Sequence, residues 1–144
     1  DPRVVVKEKT NFRHATTDLF EYELPNIATI DVSFISLKLI FEPLKDILND
    51  GDDIVALIKP QFEAGREDVG KKGIVKDAKI HQRVIENVIS YANECQFSIQ
   101  NLTYSPITGG EGNIEFLAHF KVGGTNSLLQ VEQVVQEAHD CFKG

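Results

Sequence analysis

The chain has 144 residues, with 15 basic and 22 acidic side chains for a formal charge of −7. A chain of this length suits one domain that buries about two-thirds of its unfolded surface, and its acidic balance excludes nucleic-acid binding by bulk charge, so any RNA contact must be local or come from another domain. The longest apolar stretches, "VSFISLKLIF" and "IEFLAHF", are cut by Lys38, Glu115 and His119, well short of the roughly 20 residues of a membrane helix, so no membrane partner is expected, and no signal-peptide pattern occurs.

Arg3–Val6 reads as a short buried strand, a β-branched run behind a proline. Ile27–Val32 ("IATIDV") reads as a second strand that ends in an acidic residue. Ser36 is a candidate cap for a helix carrying Leu37, Ile40, Phe41, Leu44 and Leu48 at helical spacing, which Pro43 should kink or restart. After the turn "NDGDD", Asp53–Ile58 is apolar on both faces, as in a strand buried between helix layers. Asp77 is a plausible cap for a helix to about Glu94, striped by Ile80, Val84, Val88 and Ala92. Two strands follow, Phe97–Tyr104 and Asn113–Val122, joined by "SPITGGEG", and a last helix from about Ser127 carries Leu128, Val131, Val135 and Ala138. Strand and helix alternate until two strands run in succession, the order of an open α/β sheet, mostly parallel with one antiparallel strand. In such sheets ligands bind at the carboxyl ends of the strands.

Three charged residues stand in unexpected places: Asp31 at the carboxyl end of the second strand, Lys59 at the carboxyl end of the third, and Glu115 within the last strand among Ile114, Phe116 and Leu117. Each has an ordinary role open to it, since a strand-end Asp caps helices, a Lys snorkels to solvent and a Glu on an edge strand faces water. Unpaired charges are costly in apolar surroundings, so the economical arrangement is that the three are one another's partners. Lys59 would then lie between two carboxylates, held at a bend by Pro60, where it could exchange a proton with a substrate hydroxyl. Cys95 and Cys141 match no metal spacing and read as reduced thiols of an intracellular, cytoplasmic protein. His14, His81, His119 and His139 read as surface or satisfied histidines, so no metal is expected.

The stretches "DVSFISLKLI" (Asp31 to Ile40), "LIKPQFEAGREDVGKKGIVKD" (Leu57 to Asp77) and "SPITGGEGNIEF" (Ser105 to Phe116), in that order, closely resemble the hemolysin A-type family of FtsJ-like RNA methyltransferases. The opening "VVVKEKTNFRHAT" is similar to that family's segment after its second sheet strand. The resemblance implies a Rossmann-like methyltransferase sheet and S-adenosylmethionine-dependent transfer of a methyl group to a ribose 2′-hydroxyl of ribosomal RNA, on naked RNA or an assembled ribosomal subunit. It also implies a Lys-Asp-Lys-Glu tetrad whose last three members fall on Asp31, Lys59 and Glu115, with Lys59 as general base, Asp31 beside the methyl donor and Glu115 orienting the lysine. Asn11 is a weaker candidate for the cofactor.

By the same resemblance the glycine-rich cofactor loop, the first tetrad lysine and a small S4-type RNA-binding domain belong upstream of Asp1. The chain also contains no methionine and opens directly on a strand. Residues 1–144 are therefore expected to be the second part of a methyltransferase domain, inactive when isolated. The Arg66–Arg83 stretch holds Arg66, Lys71, Lys72, Lys76, Lys79 and Arg83 against Glu67, Asp68 and Asp77. This locally basic loop suits an RNA backbone, with Arg66, Lys71 and Lys72 as the leading contacts. Two rival readings are a membrane-active hemolysin, suggested by the family's name, and an RNA-binding module that has lost turnover.

Overall fold

A computed structural model describes residues 27–70, 73–109 and 112–142. The expected strand at Arg3–Val6, together with Asn11, Lys71 and Lys72, lies outside them. The elements run β1 (Ile27–Ile30), α1 (Leu37–Ile47), β2 (Asp53–Ile58), α2 (Pro60–Glu63), a 3-10 turn (Arg66–Asp68), α3 (Ala78–Glu94), β3 (Phe97–Tyr104), β4 (Phe116–Val122) and α4 (Val131–Cys141).

The four strands form one sheet in the order β1-β2-β4-β3. β1 is parallel to β2, and β4 is antiparallel to both β2 and β3. Three strands therefore share one direction and β4 alone is reversed, the arrangement read from two strands in succession. Ile54, Ala56 and Ile58 of β2 and Phe116, Ala118 and Phe120 of β4 are enclosed, and pack in one core with Phe41 and Leu44 of α1, Val84, Ile85 and Val88 of α3, and Val135 and Ala138 of α4. Phe41 anchors this core, with edge-on contacts to Phe97 and Phe120 at ring separations of 5.7 and 5.5 Å. The other face of β2, Asp53, Val55 and Leu57, is only half-buried, so among the described residues the strand is not enclosed on both sides.

Local signals explain most boundaries. Ser36 caps α1 by accepting from Lys38 N, and Asp77 caps α3 by accepting from Lys79 N. α1 runs through Pro43 without restarting. A proline there forgoes the bond to the Leu39 carbonyl and crowds that carbonyl with its ring, while the buried ring adds to the core face. β1 stops at Ile30, leaving Asp31 just beyond it. β4 begins at Phe116, later than expected, because the Asn113 carbonyl is taken by Gly109 N instead of a strand partner and Gly112 adopts φ +85°. Glu115 thus precedes the strand, although its carbonyl still accepts from Ser105 N. The last helix starts at Val131 instead of Ser127, because Ser127 N is held by the Ile99 carbonyl at the sheet edge. Leu128 is consequently fully exposed and contributes nothing to the core stripe.

His81 on α3 is fully enclosed. Its Nε2–H donates to the Val75 carbonyl at 2.9 Å, which leaves Nδ1 to accept from His139 Nε2–H at 2.8 Å. Burial is the main cause holding its pKa below the usual 6.5. The unfolded chain therefore takes up this proton at a higher pH than the folded one, so the contribution of His81 to stability is complete above about pH 6.5 and is lost as pH falls through the folded value. The unfolding midpoint should decline below pH 6.5, and His81→Gln should flatten that decline in a pH series of thermal melts. An unchanged slope in the variant would remove His81 as the cause.

Candidate active site

The β2–β4 register pairs Ile58 with Phe116, which sets the next residues outward, Lys59 and Glu115, side by side at the carboxyl edge of β2. β1 is in register with β2, Ile30 against Ala56, and delivers Asp31 to the same edge. Pro60 at the first position of α2 turns the chain immediately after Lys59.

From that turn, side chains of the run Lys59-Pro60-Gln61-Phe62-Glu63 reach across to neighbouring loops. Lys59 Nζ lies 2.5 Å from Asp31 Oδ1 and 3.4 Å from Ser33 Oγ. The lysine side chain is 13% exposed and the aspartate 66%, so the amine is held close to the protein while its carboxylate partner opens to solvent. Phe62 packs against Phe34 with ring centroids 4.9 Å apart. Glu63 accepts from Ser36 Oγ at 2.8 Å and from Leu37 N at 2.7 Å, capping α1 from another element. Burial pushes the Glu63 carboxyl above its usual pKa, and these two donors oppose that shift.

Glu115 does not pair with Lys59 among the described residues. Its Oε2 accepts from Gln61 Nε2 at 3.1 Å, and the residue is only 7% exposed. The expected trio is therefore a Lys59–Asp31 ion pair beside a Gln61–Glu115 hydrogen bond, with Gln61 of α2 as the partner of the second carboxylate. Turning the amide over would set Oε1 against the carboxylate, so its orientation is fixed by chemistry. Among the described residues Gln61 Oε1 is buried without a partner, an acceptor that an incoming N–H or O–H group would satisfy.

Glu115 is also shaped by Gly109. A Cβ on Gly109 would stand 1.9 Å from Glu115 Oε2, so Gly109→Ala must push the carboxylate off Gln61. If Glu115 belongs to the catalytic site of the full-length protein, Gly109→Ala in that protein should lower kcat by up to about 10²-fold, the scale of a misplacement near 1 Å, with the circular dichroism spectrum unchanged; full activity would show that the position of Glu115 is unimportant.

Sequence reasoning missed Gln61, Glu63, Ser33 and Phe34. Phe34 is 88% exposed and adopts φ +66°, an outlier for a bulky residue. Arg66 is exposed at the start of the 3-10 turn, while Arg83 is engaged by Asp68, which ties α3 to that turn. Among the described residues no group of three His, Cys, Asp or Glu side chains could hold a metal ion.

The chain is 51% identical over 149 residues to the Bacillus subtilis protein named "Putative rRNA methyltransferase YqxC", covering 99% of this chain and 53% of that protein. It is 37% identical over 116 residues to the Mycobacterium tuberculosis 16S/23S rRNA (cytidine-2'-O)-methyltransferase TlyA, covering 81% of this chain and 43% of that protein. A solved structure described as "Putative hemolysin from Streptococcus thermophilus" superposes with a TM-score of 0.89 at 49% identity, over 94% of this chain and 50% of that one. The chain thus spans about half the length of the curated relatives it matches. With residues 1–122 matched by the profile of the FtsJ-like methyltransferases, the chain belongs to the FtsJ-like methyltransferase family.

Proposed function

We propose that the full-length protein methylates a ribose 2′-hydroxyl of ribosomal RNA with S-adenosylmethionine as donor, in the cytoplasm, on naked RNA or an assembled subunit. The observation that carries this reading is the Lys59–Asp31 pair at the carboxyl edge of the sheet, with Glu115 beside it. The specific reaction named for the Mycobacterium tuberculosis relative supports it.

The donor set suits a cationic methyl donor. Asp31 presents an exposed carboxylate that would suit a sulfonium's charge, and Asn11 is the second candidate contact for that donor. When bound, S-adenosylmethionine supplies an already activated methyl group, so the protein must add mainly alignment and a base. In this proposal Lys59 Nζ, as the neutral amine after its own proton has left, would take the 2′-hydroxyl proton, and bound S-adenosylmethionine would supply the methyl group that the hydroxyl oxygen receives. Asp31 and Ser33 hold the amine in place, and Gln61 and Glu115 form the adjoining wall.

Phe34 offers an exposed ring one residue from Ser33, suited to stack on a base of a single strand. Arg66, Lys71 and Lys72 would take the RNA backbone. The test is methyl transfer by the full-length protein to ribosomal RNA, read as a nucleotide whose neighbouring phosphodiester resists alkali. Methyl groups found on a base, or none transferred, would overturn the reading.

A further inference from the structure

A cleft of about 490 Å³ is joined to the Lys59 site by one strap of backbone, the segment through Ile114 and Glu115. Ile114 lines the cleft, while its neighbour Glu115 turns away to Gln61. One wall is the loop before α3, through Ile74 and Lys76; the opposite wall is α4, through Gln136, Asp140 and the adjoining Phe142. The α4 wall lies beyond residue 122, where the family match ends, so this cleft is built in part from sequence outside that match.

The walls are fixed in advance. Asn113 accepts from Val75 N at 2.9 Å and donates to the Gly73 carbonyl at 2.8 Å, tying the loop to the strap. His81 bridges the Val75 carbonyl to His139 of α4 and so ties the loop to the helix. A preformed site of this size falls within the usual range for small ligands.

We propose that this cleft receives an unpaired nucleobase of the substrate RNA, close along the strand to the nucleotide presented to Lys59; the inference rests on the RNA methyltransferase reading. Ile74, Ile114 and Phe142 offer an apolar surface for a flat ring. At the rim, Gln136 Nε2 donates to Asp140 Oδ1 at 3.0 Å, which leaves the Gln136 carbonyl and the second Asp140 oxygen as acceptors for base N–H groups. Lys76 adds one cation at the mouth. An acceptor-rich rim containing a carboxylate repels a phosphate and suits a base edge, and splayed bases are the usual handle on single-stranded RNA.

The test is equilibrium binding of a ribosomal RNA fragment to the full-length protein, a readout independent of turnover. Gln136→Ala and Asp140→Ala lie on an exposed helix face and should keep the melting temperature and the affinity for S-adenosylmethionine. Each should weaken RNA binding roughly two- to tenfold, the scale of one lost hydrogen bond. A fragment made abasic at the base that occupies the cleft should bind the wild type as weakly as the variants, with no further loss when the two changes are combined. Unchanged RNA affinity in both variants would overturn the proposal, as would a loss confined to the cofactor. Tight RNA binding without methyl transfer would instead defeat the enzymatic reading and leave the cleft standing.

Discussion

Lys59→Ala in the full-length protein is expected to lower the single-turnover rate of methyl transfer by about 10²- to 10⁴-fold, the usual span for removing a general base. RNA and S-adenosylmethionine affinities should change little. The fold should survive, because the partner left behind, Asp31, is 66% exposed and pays no buried-charge penalty; exposed ion pairs are worth at most about 1 kcal/mol. Lys59→Arg should be equally inactive, since a guanidinium stays protonated and cannot accept the hydroxyl proton. Asp31→Asn should give an intermediate loss, because the amine keeps Ser33 at 3.4 Å but loses its ion partner. A Lys59→Ala protein within about threefold of the wild-type rate would end the base assignment, since no general base contributes so little. Methylation would then depend on alignment alone.

What the sequence disclosed of this site, and what it hid, follows from how far each interaction reaches along the chain. The Ser36 and Asp77 caps were legible because each side chain bonds a backbone two residues away. Asp31 and Lys59 could be set at strand ends because each follows an apolar run, whereas Glu115, read as part of the last strand, precedes it. The partners were not legible. Lys59 and Asp31 are 28 positions apart, and Gln61 and Glu115 are 54 apart; only the paired strands bring them together, and α2 then decides that Gln61, not Lys59, meets Glu115. Phe34 illustrates a different limit, since a left-handed aromatic contradicts every local preference. Leu128 fitted the periodicity of the last helix, yet the bond from Ser127 to the sheet edge held it outside.

The same long-range logic makes Asn113 the residue whose loss should cost the fold most for its size. It is 2% exposed, and its amide serves Val75 N and the Gly73 carbonyl across 38 and 40 positions of sequence. Asn113→Ala would leave both backbone groups without this partner. At about 1–3 kcal/mol for the stranded, buried Val75 N–H and about 1 kcal/mol for the half-buried Gly73 carbonyl, a loss of roughly 2–4 kcal/mol is expected in urea unfolding. Asn113→Asp keeps the oxygen that serves Val75 N but sets a second oxygen against the Gly73 carbonyl, so it too should destabilise. Native-state hydrogen exchange should locate the damage at the amide of Val75, which exchanges faster if Asn113 pins this loop. The substitution should also slow methyl transfer beyond what the remaining folded fraction accounts for, because Asn113 stands two residues before Glu115 on the same strap. A variant of wild-type stability and unchanged Val75 exchange would mean that the loop is held in place by His81 and its neighbours alone.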